Sequence, residues 1–276
     1  MREIIRVMLV VLLVYLGWAP CWADSDSTQV GKYGDLFKET LKAADDLLAH
    51  VTAIPDSEEV VIGREITKRV NEERILIQGD RKKRVQRIGH ELANQADRKG
   101  IVYTFHVLDS DVLNAFAIPG GNIWITEAML NFLDNDDQLA GILGHEIAHV
   151  DLRHCIRAIQ YQIWIMEVLP EHSDYVKIGY SLVNSSYSEL NELEADKNGV
   201  QIMFQAGYDP DQMVNFMTKM EALEESAGEY DQPDKDDQIG QAVAQVNDFL
   251  RSHPLSRERK EKLQAYIQDH LRNEAR

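Results

Sequence analysis

The stretch from Gly141 to Val150, reading GILGHEIAHV, limits this chain more than any other. Leu139, Ile142, Leu143, Ile147 and Val150 recur at helical spacing. Asp136 and Asp137 upstream supply a capped, negatively charged helix start. On such a helix His145 and His149 are four residues apart, so both imidazoles project from one face, one turn apart. Two neutral nitrogens so placed can grip one Zn²⁺ at about 2.0–2.1 Å. Glu146, beside the first histidine, reaches a water on the metal rather than the metal itself, and there acts as general base and proton shuttle. The aliphatic surroundings argue against a solvated surface helix, because ionisable groups among them need partners. Gly141 and Gly144 each weaken a helix by about 1 kcal/mol relative to alanine, which points to another element approaching closely.

A further ligand is available downstream. Ser181 to Gly207 reads as a helix holding Glu189, Glu192, Glu194 and Asp196. Glu192 and Asp196 are four apart and share a face. In a two-histidine site the third ligand typically comes from a later helix. Glu192 can supply it, Asp196 can orient a ligating histidine from behind, Glu194 is the fallback ligand, and Glu189 belongs to a solvated face. One Zn²⁺ per chain follows. The metzincin subclass is excluded, since it needs glycine at position 152 and histidine at position 155, where this chain has Leu152 and Cys155.

Residues 1–23 read as a secretory signal peptide: Arg2 and Arg6, an apolar run from Val7 to Leu16, and Ala23 before Asp24. The chain is then expected in the periplasm or outside the cell. Retention of that segment would tether it to the membrane. Cleavage leaves Cys155 as the single cysteine, which permits no intramolecular disulfide and suits a small buried hydrophobe. The formal net charge of −17 argues against nucleic acid or anionic lipid as partners.

Residues 24–57 form a polar segment with a helix from Asp35 to Val51, and 58–276 the main domain. Helices are predicted over Glu58–Gln78 and Asp80–Lys99, then a strand over Ile101–Leu108 with His106 on its polar face. Pro119-Gly120-Gly121 marks a tight turn before a strand over Ile123–Thr126, so Asn114 to Thr126 is a hairpin. Its edge, with Asn114, Ala115, Phe116, Gly120 and Gly121, can hold an extended peptide by strand addition. A short helix over Glu127–Leu133 precedes the zinc helix. Cys155 to Leu169 is a buried helix or an apolar flap. Pro210 opens a helix over Asp211–Ala222, Glu224–Asp237 is a mobile acidic loop, and Ala242–Leu250 and Ser256–Leu271 are the closing helices. The fold class is α+β, mostly α-helical: a zincin-like metallopeptidase with a small sheet at the cleft.

With both halves of the site placed, the chain resembles the HtpX/BepA-like zinc metallopeptidases, gluzincins related to the CAAX prenyl protease. The matching pieces are the NAFAIPGG segment from Asn114 to Gly121, the HEIAH core from His145 to His149 followed by Arg153 and His154, the SELNELEAD segment from Ser188 to Asp196, and His253-Pro254 with Arg259 beyond. The likeness runs from about Glu58 to about Leu263. It implies that Glu192, not Glu194, is the third zinc ligand, and that protein or peptide substrates include misfolded or misassembled envelope proteins. It also implies that His253 can occupy the fourth zinc position and keep the enzyme latent, since catalysis needs that position open. Departures are Glu189, where many relatives carry arginine, and the absence of the helical repeats and convincing membrane spans of some members. A different class of function, a non-catalytic or latent chaperone holding clients at the hairpin edge, would keep the fold without turnover. The residues leave the oxyanion helper open among His154, Tyr187 and Arg259, and leave the oligomeric state open.

Overall fold

A computed structural model of the chain describes residues 54–165, 187–228, 249–250, 252–254 and 257–274, all within one packed unit, Ile54–Arg276. In order these form α1 (Asp56–Glu73), α2 (Asp80–Ala93), β1 (Thr104–Leu108), β2 (Ala115–Ile118), β3 (Asn122–Thr126), α3 (Glu127–Phe132), α4 (Asp136–Asp151), α5 (His154–Ile165), α6 (Glu189–Gln205), α7 (Asp211–Gly228) and α8 (Arg257–Tyr266). A π-helical turn, Ile267–Leu271, leads into the short α9 (Arg272–Glu274). The signal segment, the helix expected over Asp35–Val51, the end of the apolar stretch after Ile165, most of the acidic loop and the start of the helix expected at Ala242 lie outside the described residues. Among the described residues no helix is long and apolar enough to cross a membrane.

The structure departs from the sequence reading at several ends. α1 stops at Glu73 rather than running to Gln78, because the residues that follow pair with β1: Ile77 N–H donates to Val107 O and Asp109 N–H to Ile75 O. α2 stops at Ala93, and the backbone N–H groups of Asp97 and Arg98 turn instead onto the Asp151 carboxylate. Asn135, not an aspartate, caps α4 by accepting from Gln138 N–H at 2.8 Å. α7 runs six residues beyond Ala222, to Gly228.

The sheet order is β1-β3-β2, with β3 parallel to β1 and antiparallel to β2. Gly120 and Gly121, at φ +77° and +90°, make the β2–β3 turn and pack beneath α1 and the residues before β1. Alternation divides the sheet between two apolar layers. Phe105, Val107, Ala115, Ala117, Ile123 and Ile125 pack with α2 and α4, whereas Phe116, Ile118 and Trp124 pack with α1 and α5. His106, expected on a polar face, is half-buried and stacks on Trp124 with ring centroids 4.2 Å apart. Burial, helped by Lys82, lowers its pKa to about 4, so it stays neutral. β2 is an edge strand, whereas Leu76 bridges the outer side of β1 at Leu108. Asn114 exchanges with Thr126, so by alternation Ala115 and Ala117 turn their backbone groups to the outer edge.

α4 is enclosed: every residue from Gln138 to Asp151 is buried. It crosses α6 where Gly144 meets Gly199. A Cβ on Gly144 would sit 2.8 Å from Gly199 O, and one on Gly199 would sit 2.8 Å from His145 N. Only hydrogen at both positions lets the two backbones come this close, which brings Glu192 and Asp196 of α6 within reach of the α4 histidines. Gly199→Ala should cost about 1–3 kcal/mol by overpacking and weaken metal binding, whereas Gly100→Ala, with nothing nearer than 3.7 Å, should do neither. Urea denaturation and a metal-competition titration of the two variants measure this; a tolerated Gly199→Ala would contradict the close crossing.

Candidate metal centre

Among the described residues one group of side chains could hold a metal ion: His145, His149, Glu192 and His253, all buried, with one donor atom from each lying within 4.8 Å of the others. His145 Nε2 is 3.0 Å from His149 Nε2 and 3.3 Å from His253 Nδ1. Glu192 lies 3.5 Å from His145 Nε2, 3.3 Å from His149 Nε2 and 3.3 Å from His253 Nδ1. Donors set tetrahedrally about an ion at about 2.0–2.1 Å stand about 3.3–3.4 Å apart. The donor set and its spacing therefore fit a small divalent cation bound by nitrogen and oxygen.

Each first-rank donor is held from behind. His145 Nδ1 sits 3.1 Å from Asp196 Oδ1. Arg259, 3% exposed at its side chain, places Nε and Nη2 on the two Asp196 oxygens at 2.9 Å each and Nη1 2.9 Å from Glu192 Oε2. This two-pronged grip fixes the Asp196 carboxylate in the guanidinium plane, and the remaining nitrogen ties Glu192 to the same group. His149 Nδ1 is 3.1 Å from His154 Nδ1, and His154 Nε2 faces Glu194 Oε2 at 3.5 Å. Glu194, the fallback ligand, thus reaches the site through His154. This placement depends on Arg153, whose φ of +64° reverses the chain between α4 and α5; its guanidinium is paired with Asp56. Tyr187 stacks on His149 at 4.1 Å and donates to Cys155 Sγ at 3.3 Å. The three oxyanion candidates are therefore all engaged: His154 with His149, Arg259 with the carboxylates, Tyr187 with the thiol. Burial pushes the Cys155 thiol up to about 12, so it stays neutral.

A second network fixes the far end of α4. Arg98 donates to Val150 O at 2.7 Å and pairs with fully buried Glu59 at 2.7 Å. Glu59 in turn accepts from Gly120 N–H at 3.0 Å. α1, the hairpin turn and the end of the histidine helix are thereby joined. No motif in the sequence marks Glu59 or Arg98; the single trace is a glutamate on the apolar stripe of Ile62, Ile66 and Val70.

Glu146 points toward β2 and His253, with His253 Nε2 3.4 Å from Glu146 Oε1. Its Oε2 is buried without a hydrogen-bond partner among the described residues. Burial raises its pKa, against the pull of His253, His145 and the Ala117 N–H. A carboxyl raised in this way is suited to taking and returning a proton. Of the expected peptide edge, Ala115 and Phe116 lie on β2 and Asn114 just before it, where Ser252 Oγ approaches Asn114 Oδ1 at 3.5 Å. Gly120 and Gly121 are in the turn at the other end.

The charge balance favours a cation. Burial would raise the Glu192 pKa, yet His253, His145 and His149 hold it far below the usual carboxylate range. Burial would lower that of His145, yet Asp196 and Glu192 raise it to about 10. His149 is pushed well below its usual value by burial, against Glu192. Without an ion, a proton on His145 balances the carboxylates; metal binding must displace it. Metal affinity should therefore rise with pH through the neutral range, with about one proton released per ion. Calorimetry in buffers of different ionisation enthalpy reads this directly; a binding heat independent of buffer would contradict it.

Two histidines on one helix, a carboxylate from a later helix and a buried glutamate beside the first histidine are the parts of an HExxH metallopeptidase. Residues 80–267 match the sequence profile of peptidase family M48, and the chain belongs to that family. It is 29% identical over 154 residues to the beta-barrel assembly-enhancing protease of Escherichia coli, covering 49% of this chain and 32% of the relative. It is 26% identical over 193 residues to the mitochondrial metalloendopeptidase OMA1 of Schizosaccharomyces pombe, covering 66% of this chain and 52% of the relative. The chain spans about a third of the length of the first of these, 32%.

Proposed function

We propose that this protein is a zinc endopeptidase of the cell envelope, cleaving unfolded or misassembled proteins. The observation that carries the reading is the buried quartet of His145, His149, Glu192 and His253 with Glu146 beside it. His145, His149 and Glu192 would hold the ion, and Asp196, Arg259 and His154 keep them oriented. When bound, Zn²⁺ supplies Lewis acidity toward the scissile carbonyl and the attacking water. Glu146 takes the proton of that water and returns it to the leaving amine. The outer edge of β2 would align the substrate as an added strand, with main-chain bonds at Ala115, while Ala117 N–H faces Glu146 and Ala117 O accepts from Cys155 Sγ. The signal-like residues 1–23 and the name of the beta-barrel assembly-enhancing relative support an envelope location and substrate.

His253 fills the fourth donor position in this reading, so the described arrangement is the latent one. Its departure would open that position and free Glu146 at once. The test is cleavage of unfolded casein by the zinc-loaded full chain, with Glu146→Gln and His253→Ala alongside. Glu146→Gln should lower kcat/KM by about 10²–10⁴-fold while zinc stays bound, and His253→Ala should raise the rate above wild type. Equal cleavage by His253→Ala with and without Glu146→Gln would overturn the mechanism; a His253→Ala rate at or below wild type would overturn latency alone.

A further inference from the structure

Arg259, His154 and Tyr187 stand beside the centre with donors that could steady the charge developing on a scissile carbonyl, and they differ in what holds them now. Arg259 makes charge-assisted bonds at 2.9 Å to Asp196 and Glu192. Releasing it would loosen both carboxylates. His154 Nδ1 lies 3.1 Å from His149 Nδ1, so moving it would unseat a ligand. Tyr187 is held more lightly. Its hydroxyl donates to Cys155 Sγ at 3.3 Å, and a neutral thiol is a weak acceptor.

Tyr187 also sits where such a donor is needed. Its ring lies on the His149 ring, with centroids 4.1 Å apart and planes 22° from parallel, and its centroid is 6.5 Å from that of His253. The thiol that takes its hydrogen lies 3.8 Å from Ala117 O. The hydroxyl end therefore reaches toward β2, whose Ala117 N–H faces Glu146. Burial, then Cys155, Glu146 and Glu192, holds its pKa well above the usual value, so it keeps its hydrogen. Stacking fixes the ring, yet the O–H hydrogen can turn about the C–O bond without moving a heavy atom.

We infer that Tyr187 is a catalytic hydrogen-bond donor to the oxyanion formed when water attacks the scissile carbonyl, and that Cys155 holds its hydroxyl until then. The inference rests on the peptidase reading of the centre and adds its oxyanion group. As the water oxygen bonds to carbon, the second bond of the carbonyl opens and its electron pair moves onto the carbonyl oxygen. The phenol hydrogen then turns from sulfur to that oxygen. It stays covalently on the phenol, so the proton taken from water still passes through Glu146 alone. An anionic oxygen is a stronger acceptor than a thiol, so the exchange favours the transition state over the bound substrate.

Tyr187→Phe keeps the ring on His149 and removes the donor. The parent is the zinc-loaded full chain, wild type or His253→Ala, whichever cleaves unfolded casein faster. In that parent Tyr187→Phe should lower kcat by about 10²–10³-fold, with KM and zinc affinity unchanged. Cys155→Ala should raise kcat by about 2- to 10-fold, the equivalent of one neutral hydrogen bond, and Tyr187→Phe should abolish that gain. A Tyr187→Phe kcat within about threefold of the parent overturns the donor and leaves the peptidase reading standing. A fall in kcat matched by a loss of zinc affinity also overturns it, because Tyr187 would then only brace His149. Equal kcat for Cys155→Ala and the parent, or a gain that persists in the double variant, overturns the part given to the thiol. No cleavage by either parent overturns the peptidase reading and the donor with it.

Discussion

The structure depends on two helices crossing at a pair of glycines. Gly144 and Gly199 bring the α4 and α6 backbones to a separation that a methyl group at either position would forbid. That separation decides what the side chains on each helix can do. His145 and His149 project from α4 toward Glu192 and Asp196 on α6, and the donors meet at distances suited to a small ion. The sheet and the remaining helices bury this crossing. α2 and the apolar sheet face cover α4 on one side, while α1 and α5 cover the opposite sheet face.

Burial of so many ionisable groups is costly unless each is partnered. Here the three ligands proposed on α4 and α6 each have a second contact: Asp196 and Arg259 behind His145 and Glu192, His154 behind His149, with Glu194 facing His154. Carboxylates and imidazoles facing one point hold each other in unusual protonation states, with His145 lifted to about 10 and Glu192 held far below its usual range. A divalent cation resolves that arrangement better than a proton does. Glu146 is the exception: burial lifts its pKa and one oxygen has no hydrogen-bond partner among the described residues. It is the carboxyl in the centre most ready to exchange a proton.

Much of this was legible in the order of residues. Helical spacing alone put His145 and His149 on one face and set Glu192 and Asp196 four apart, and of the two glycines within a helical pattern Gly144 signalled the close approach of α6 and Gly141 that of Met213 on α7. The hairpin followed from Pro119-Gly120-Gly121. What spacing could not reveal was long-range partnership. The link from Glu59 through Arg98 to the end of α4 joins residues 39 apart, and Arg259 grips Asp196 across 63; neither pair shares an element. The end of α1 was misplaced because Ile75 and Ile77 continue an apolar helical pattern while pairing with β1. His106 looked polar by alternation but lies against Trp124, since both faces of this sheet are covered.

The central claim is that one metal ion is held by imidazoles of both α4 histidines, the Glu192 carboxylate and His253. X-ray absorption at the zinc edge of the loaded full chain tests it most directly. The account predicts nitrogen and oxygen scatterers alone at about 2.0–2.1 Å, with a multiple-scattering pattern of three imidazoles that falls to two in His253→Ala. A sulfur scatterer at about 2.3 Å, which only a thiolate such as Cys155 could supply, or fewer than two imidazoles in the wild type, would contradict it.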